Sequence, residues 1–235
     1  MSKRAVILAG GRGSRLRPYT LVLPKPLMPI GDYPILEIII RQLAKCEFTR
    51  ITLAVNHQAE IIKAFFGNGE KWGIQIDYSL EDKPLSTMAP LNLIEDLPND
   101  FLVMNGDILT DLDFGEFYSS HIKNRSIFTI SSYIRKIESE FGVLEVDKSN
   151  TLTDFSEKPV MSFEVSMGIY MVSKRAVDFI PKNEFYGFNH LMLDLIKKSQ
   201  KPKVVRFDGY WLDIGRADDY EQAVREFSVM KKRLL

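Results

Sequence analysis

The chain has 235 residues, of which 45% are apolar and 26% are charged, the composition of an ordinary globular protein. Its 31 basic and 31 acidic residues give a formal net charge of zero, which disfavours a nucleic-acid binder that depends on phosphate neutralisation. The single cysteine, Cys46, excludes an internal disulfide and a multi-thiolate zinc site. Apolar runs are too short for a membrane-spanning helix or a signal peptide. We therefore expect a cytoplasmic protein that binds neither nucleic acid nor membrane.

The first half of the chain alternates between predicted strands and helices. The strands are 4–9, 51–55, 74–79, 101–105 and 126–133, and the helices are 35–45, 58–66, 90–96 and 114–123. Continuous apolar runs among these strands are typical of a parallel sheet that is covered on both faces. The alternation predicts a Rossmann-like α/β fold with a mostly parallel central sheet flanked by helices.

The second half is predicted to add antiparallel strands. Three closely spaced strands are predicted at 142–147, 151–159 and 164–172, followed by a short strand at 203–207. Helices are predicted at 174–179, 187–199 and 217–232. Because we find no linker, repeat or low-complexity segment, we expect a single domain over residues 1–235.

A glycine loop directly follows the first strand, in the sequence LAGGRGSR at residues 8–15. Glycines after a strand let backbone N–H groups approach a ligand closely. Four cations lie within fourteen residues of this loop: Arg12, Arg15, Arg17 and Lys25. This concentration of positive charge favours a ligand that carries several phosphates.

Two familiar phosphate-binding motifs do not fit this loop. A Walker motif requires GxxxxGK[ST], which the sequence lacks. The dinucleotide fingerprint GxGxxG fails because Leu16 stands at the position of the last glycine, which disfavours a dinucleotide oxidoreductase.

The segment LAGGRGSRLRPYTLVLPKPLMPI, residues 8–30, closely resembles the pattern LAGGxGTRLxPxTxxxPKPLxPI of the sugar-1-phosphate nucleotidylyltransferases. Ser14 replaces the more usual threonine and keeps its hydroxyl group. In that family the loop wraps the nucleoside triphosphate, and Arg15 and Lys25 are the cations on its phosphates. The resemblance thus implies nucleotide contacts from six loop residues: Leu8, Ala9, Gly10, Gly11, Gly13 and Ser14.

Asp107, in the sequence MNGDIL, directly follows the strand at 101–105. The carboxyl ends of parallel strands face the crevice in which α/β sheets bind ligands. By the resemblance, Asp107 is a magnesium ligand and Asp213, in WLDIG, is the second. Two carboxylates together with substrate phosphates form a ligand set that Mg²⁺ accepts. We interpret the nearby Asp111 and Asp113 as surface or helix-start residues.

Four further residues resemble the family's sugar-phosphate site. Glu157 and Lys158 belong to an EKP motif, in which the lysine neutralises the sugar phosphate and the glutamate accepts hydrogen bonds from sugar hydroxyls. Gly142 matches the glycine against which the sugar lies. Ser166 stands where many members have asparagine, which leaves the identity of the sugar open.

The segment YSLEDKPLSTMAPL, residues 78–91, resembles the base-recognition segment YSxExxPLGTAGPL of guanylyltransferases. It implies base contacts from Glu81, Pro84, Ser86 and Thr87, with the carboxylate of Glu81 accepting hydrogen bonds from guanine N1–H and N2–H. Ser86 replaces a family glycine, and uridylyltransferases also carry an acid at the position of Glu81. The base therefore stays open.

The resemblance implies a magnesium-dependent enzyme that transfers a nucleotidyl group from a nucleoside triphosphate, GTP by preference, to a mannose- or heptose-type sugar 1-phosphate. The alternatives are a uridylyl- or thymidylyltransferase that acts on another hexose 1-phosphate, and a non-catalytic nucleotide-sugar-binding homologue. A glycosyltransferase with a DxD motif at residues 111–113 ranks below these, because those acids lie past Asp107. The sequence leaves a homodimer open.

The remaining polar candidates are not assigned a role in chemistry. His57, His121 and His190 lack metal-ligand spacing, so we expect surface or capping roles for them. Cys46 is predicted to be a buried, inert residue on a helix.

Overall fold

The computed structural model describes residues 3–56 and 58–235, so His57 lies outside the described part. The strands are β1 (Lys3–Leu8), β2 (Pro29–Ile30), β3 (Tyr33–Pro34), β4 (Phe48–Val55), β5 (Gln75–Leu80), β6 (Asp100–Asn105), β7 (Ile108–Thr110), β8 (Phe128–Glu138), β9 (Val143–Val146), β10 (Leu152–Ser156), β11 (Val160–Ser173), β12 (Lys203–Phe207) and β13 (Trp211–Asp213). The α-helices are α1 (Ile35–Lys45), α2 (Ala59–Phe66), α3 (Phe114–Asn124), α4 (Lys174–Val177), α5 (Phe188–Lys197) and α6 (Ala217–Leu234).

Seven strands form the central sheet in the order β12-β8-β11-β6-β1-β4-β5. The pairings β1–β4, β1–β6, β4–β5 and β8–β12 are parallel. Strand β11 is antiparallel to both of its neighbours, β6 and β8. Strands β9 and β10 form a separate antiparallel pair. The predicted α/β fold with a mostly parallel sheet and added antiparallel strands is confirmed.

Alternate residues of each central strand are buried on opposite faces of the sheet. On β1, Ala5 and Ile7 pack into one apolar cluster with residues of α1, α3 and α6, whereas Val6 packs into a second cluster with residues of α4 and α5. All three side chains are buried, which explains why the strand is apolar at successive positions. Within residues 3–56 and 58–235, no helix is long and apolar enough to cross a membrane.

One predicted helix is wrong in type and extent. The segment predicted as a helix over 90–96 forms a 3-10 helix over Ala89–Leu93, and the backbone is extended at Ile94. Beyond Ile94, the Asp96 carboxylate accepts a hydrogen bond of 2.8 Å from Arg4 Nη1 on β1. A tertiary ion pair thus holds the segment that follows the 3-10 helix.

Asp111 and Asp113 have different roles. Asp113 begins α3 as predicted, because its Oδ1 accepts a hydrogen bond of 2.8 Å from Glu116 N. Asp111 is not a surface residue. Its carboxylate is 9% exposed, forms an ion pair with Arg233 and accepts a 2.7 Å hydrogen bond from Tyr210 N. It therefore ties the C-terminal helix to the sheet.

The prediction for His190 is confirmed, but that for His121 is wrong. His190 Nδ1 accepts a hydrogen bond of 3.0 Å from Gly187 N and caps α5. His121 is 1% exposed, and its ring nitrogens lie 2.7 Å from Thr129 Oγ1 and 3.2 Å from Asp100 Oδ1. Strand partners remote in sequence satisfy this ring, so helix spacing alone could not reveal its burial.

Cys46 was predicted to be buried on a helix, and this is also wrong. It is a free thiol of intermediate exposure at the C-terminal cap of α1. The helix ends there because Glu47, the next residue, adopts a left-handed conformation with φ 63°.

Candidate active site

A cleft of about 600 Å³ opens where parallel strands β1, β4 and β6 reach their carboxyl ends. Seven of the residues predicted to bind nucleotide line it: Leu8, Gly10, Gly11, Glu81, Pro84, Ser86 and Thr87. Asp107 and Arg12 line it as well. The glycine loop and the base-recognition segment, about 70 residues apart in sequence, thus face one another across the same space.

The glycine loop approaches its neighbours closely. A Cβ atom at Gly10 would lie 3.1 Å from Glu81 Oε1 and 3.2 Å from Asn56 Cβ, so a larger residue would narrow the cleft. Gly13 has φ 61°, a conformation that favours glycine, and its carbonyl accepts a 2.7 Å hydrogen bond from Thr20 Oγ1. The hydrogen bond between Thr20 and Gly13 therefore closes the loop, and the backbone of the loop stays accessible to a ligand.

Three of the predicted loop contacts, Ala9, Gly13 and Ser14, are not among the residues that line the cleft. Ala9 is 3% exposed and its N–H donates a 2.8 Å hydrogen bond to Ala54 O, so it joins the loop to β4. Ser14 begins a short 3-10 helix, Ser14–Leu16, and is exposed.

An ion pair between Lys25 and Asp107 forms the charged centre of the site. The side chains of Lys25 and Asp107 are only 10% and 20% exposed, so each charge depends on its partner for compensation. Asp107 Oδ1 is buried and accepts no hydrogen bond from any described residue. This oxygen is therefore free to bind a further positive group.

Backbone pairing holds Asp213 beside Asp107. Asp213 stands opposite Ile108 in the antiparallel β7–β13 ladder, and Ile214 N donates a 3.0 Å hydrogen bond to Asp107 O. Burial, and then the negative charge of Asp107, raise the pKa of Asp213, while the positive charges of Lys25 and Arg15 oppose the rise. The two acids predicted as a pair therefore share one small region.

The chemistry of this pair fits a divalent cation. A positive ion between the two carboxylates would give the unpartnered oxygen of Asp107 a partner and would offset the repulsion that Asp213 feels. In the described part of the chain, no cluster of three or more His, Cys, Asp or Glu side chains could hold a metal. A cation on Asp107 and Asp213 would thus need ligand oxygens from elsewhere, which is how Mg²⁺ usually binds beside phosphates.

The base-recognition segment is folded so that one oxygen of Glu81 is occupied. Glu81 Oε2 accepts a hydrogen bond of 3.3 Å from Leu85 N, which leaves Oε1 facing the glycine loop. Burial raises the pKa of Glu81, and the Leu85 hydrogen bond partly opposes this. Ser86 has φ 69°, so the serine holds the left-handed conformation that glycine adopts more readily. Thr87 Oγ1 accepts a 2.8 Å hydrogen bond from Phe188 N.

Three of the predicted sugar-phosphate residues, Gly142, Glu157 and Lys158, form a second group beside the ends of exposed strands. A Cβ atom at Gly142 would lie 2.6 Å from the Phe155 ring and 3.1 Å from Glu157 Oε2, so these residues are neighbours. Lys158 is exposed and has φ 44°. Among residues 3–56 and 58–235, no hydrogen bond or ion pair links Gly142, Glu157 or Lys158 to Asp107.

Ser166 lies between these two groups. Its hydroxyl is 3.2 Å from Tyr170 OH and accepts a 3.2 Å hydrogen bond from Gly168 N. A Cβ atom at Gly168 would lie 2.7 Å from Asn105 Nδ2, and Asn105 lines the cleft. The irregular pairing of β11 between Ser166 and Tyr170 therefore brings this part of the strand to the edge of the cleft.

Sequence reasoning missed four residues that line the cleft: Asn56, Leu85, Asn105 and Phe185. Asn56 follows β4 and Asn105 ends β6. The rule that polar residues at the carboxyl ends of parallel strands face the ligand crevice could have found both asparagines. Phe185 comes from the loop before α5 and carries no comparable signal.

An α/β sheet with a glycine loop and paired acids at its carboxyl edge defines a nucleotide-binding enzyme class. A model of the nucleotidyl transferase family matches residues 4–228, and the chain belongs to this family. The predicted family is confirmed.

Two curated relatives have different stated activities. The chain is 33% identical over 242 residues to a UTP–glucose-1-phosphate uridylyltransferase of Synechocystis sp., which covers 94% of this chain. It is 33% identical over 233 residues to a mannose-1-phosphate guanyltransferase of Yarrowia lipolytica, which covers 92%. The chain spans 62% of the length of each relative.

Among solved structures, HddC from Yersinia pseudotuberculosis superposes with a TM-score of 0.73 at 27% identity. The match covers 96% of this chain and 99% of HddC. A structure of HddC complexed with GMP-PN matches with a TM-score of 0.72 at 26% identity.

Proposed function

We propose that this protein transfers a nucleotidyl group from a nucleoside triphosphate to a sugar 1-phosphate, with GTP as the preferred donor and a mannose- or heptose-type sugar as the acceptor. The observation that carries the proposal is the convergence of Lys25, Asp107 and Asp213 at one end of a cleft lined by the glycine loop. The family match supports the reaction class.

The proposed reaction is a single in-line displacement. A phosphate oxygen of the sugar 1-phosphate attacks the α-phosphorus, the bond from that phosphorus to the bridging oxygen breaks, and pyrophosphate leaves. The attacking oxygen is already ionised at neutral pH, so the enzyme needs no covalent intermediate. Catalysis then depends on positioning and on stabilisation of negative charge.

Each charged residue has a separate role in this reaction. Lys25 and Arg15 neutralise the donor phosphates, and Lys158 holds the acceptor phosphate against repulsion from the donor. Asp107 and Asp213 would hold Mg²⁺, which when bound withdraws charge from the phosphate oxygens. Lys25 forms an ion pair with Asp107, and it would be free to contact the donor phosphates if a cation took its place beside Asp107.

Two observations support guanine over the other bases. Glu81 Oε1 lies close to the glycine loop, and a partly desolvated carboxylate gains most from a base edge that presents two N–H donors. Relatives named mannose-1-phosphate guanyltransferase and the HddC complex with GMP-PN are consistent with this choice. The Synechocystis relative supports the second candidate, a uridylyltransferase that acts on a hexose 1-phosphate.

A matrix of nucleoside triphosphates against hexose and heptose 1-phosphates, read by pyrophosphate release with Mg²⁺ present, tests the proposal. We expect the highest kcat/KM with GTP and a mannose- or heptose-type acceptor. A maximum with UTP would favour the second candidate. Nucleotide-sugar binding without pyrophosphate release from any pair would leave a non-catalytic homologue.

A further inference from the structure

An exposed aromatic ring lies at the edge of the cleft, on the loop between α4 and α5. Phe185 lines the cleft together with Glu81, Pro84 and Ser86, and 64% of the residue is exposed. A phenylalanine this exposed contributes little to the core, and its apolar surface gains free energy when a ligand covers it. Its neighbours in the cleft include the polar Glu81 and Ser86, so Phe185 adds a large uncovered apolar surface at this end.

The loop that carries Phe185 is joined to the base-recognition segment. Tyr186 N donates a 3.0 Å hydrogen bond to Leu85 O, and Tyr186 O accepts hydrogen bonds of 3.1 and 3.0 Å from Met88 N and Ala89 N. Lys83 Nζ adds a 3.0 Å hydrogen bond to Asn183 O. These bonds fix the position of the backbone on each side of Phe185 relative to Glu81.

An aromatic contact orients the ring of Phe185. It meets the His190 ring edge-on, with ring centroids 6.4 Å apart and an interplanar angle of 79°. His190 is itself fixed by the hydrogen bond from Gly187 N. The aromatic contact limits the freedom of Phe185, so a ligand that packs against it pays less conformational entropy.

We propose that Phe185 packs against the nucleobase of the donor triphosphate while Glu81 Oε1 contacts the edge of the base. The inference rests on the proposed function, and it adds a residue that determines how well the base is held. Phosphate and sugar offer no aromatic surface, so the base is the part of the substrates that an exposed ring at this position recognises. A purine presents two fused rings, so Phe185 contributes more to GTP binding than to UTP binding.

The test is Phe185→Ala, assayed by pyrophosphate release and by calorimetric titration with GTP alone. We expect the KM and the dissociation constant for GTP to rise about tenfold, within the range measured for base–aromatic stacking. The values of kcat and of KM for the sugar phosphate should change less than about twofold. Phe185→Trp should restore GTP affinity, because it renews the aromatic surface.

Phe65→Ala is the matched control, since Phe65 is 46% exposed on α2 and does not line the cleft. Wild-type GTP affinity in Phe185→Ala would overturn the inference, as would a rise confined to the KM of the sugar phosphate. Failure of the proposed function looks different. In that case the wild-type protein releases no pyrophosphate from any substrate pair, while the GTP titration still reports on Phe185.

Discussion

The floor of the cleft is buried, whereas the strands next to the predicted sugar-phosphate residues Gly142, Glu157 and Lys158 are exposed. The floor consists of the carboxyl ends of β1, β4 and β6, whose central residues are buried by helices on both faces of the sheet. We call residues 135–164 the arm, which comprises the outer part of β8, strands β9 and β10 and the start of β11. Every residue of β9 and β10 is exposed.

This difference predicts that the two substrates are held by different means. On the floor, burial and an ion pair hold Lys25 and Asp107, and backbone pairing holds Asp213, before any ligand arrives. On the arm, Gly142, Glu157 and Lys158 have no packed layer beside them. Preorganised charge lowers the barrier of the chemical step, whereas residues ordered by the ligand act mainly on binding. Substitutions on the floor should therefore lower kcat, and those on the arm should raise the KM for the acceptor.

The largest effect is expected from Asp107→Asn, which keeps the shape of the side chain and removes its charge. Turnover should fall a hundredfold or more, about 3 kcal/mol of transition-state free energy. The free energy of unfolding should fall as well, because Lys25 loses the charge that compensates it. Initial rates of pyrophosphate release at saturating substrates measure this. Asp113→Asn is the control because that residue caps α3 and does not line the cleft. Near-normal turnover in Asp107→Asn would remove it from the catalytic centre.

Lys25→Met tests the other half of the ion pair. We expect kcat to fall by a factor on the order of 30, because a buried cation no longer stabilises the donor phosphates. Lys71→Met, which replaces a lysine side chain that is 65% exposed on the surface, should leave kcat unchanged. If Lys25→Met raises KM for the donor and spares kcat, Lys25 binds the ground state rather than the transition state.

The sequence predicted those parts of the fold in which local pattern and tertiary packing agree. Helix α1 and strand β12 have the predicted bounds, 35–45 and 203–207, because apolar spacing continues without interruption across each. The helix predicted at 90–96 was wrong, and the end of that segment instead forms a contact between Asp96 and Arg4, a residue 92 positions earlier in the chain. No window of local sequence contains that interaction.

The candidate site likewise contains residues that local motifs predict and residues that only long-range contacts bring to the cleft. The glycine loop and Asp107 each belong to a local motif, so their approach to the cleft could be predicted. The proximity of Asp213 depends on the three-residue ladder between β7 and β13, which is too short for any periodicity. Phe185 reaches the cleft only because Tyr186 pairs with residues about 100 positions earlier. The resemblance of the WLDIG segment still predicted Asp213, whereas no feature of the sequence marked Phe185.

On the arm, Lys158→Ala is expected to have a smaller effect than either floor substitution, and one of a different kind. The KM for the sugar phosphate should rise about tenfold, the loss of one charge-assisted contact, while kcat and the KM for GTP change little. Lys148→Ala, another exposed lysine on the arm, serves as the control. A loss confined to kcat would mean that the arm is as preorganised as the floor, which would end the distinction between the two regions.

The smallest effect is expected at the end of β6 that lies away from the cleft. Asp100 begins β6, and His121 on α3 contacts it, whereas Asn105 ends β6 in the cleft. Burial lowers the pKa of His121 in the folded protein, although the contact with Asp100 partly opposes this. The unfolded chain therefore binds this proton more readily than the folded protein. The contribution of neutral His121 to stability is present above the pKa of this group in the unfolded chain, about 6.5. It is lost as the pH falls through that value toward the lower pKa of His121 in the folded protein.

Between pH 7.5 and 5.5, the free energy of unfolding should thus fall by on the order of 1 kcal/mol more in the wild-type protein than in His121→Gln. Urea denaturation at both values of pH measures the difference, and the carboxylates contribute little to it because both proteins contain them. Identical slopes would show that His121 is not held neutral by the fold. Since His121 supports β6 from the end opposite the cleft, the His121→Gln substitution should leave kcat at pH 7.5 unchanged. A parallel loss of kcat would instead show that the floor depends on the packing of the whole strand.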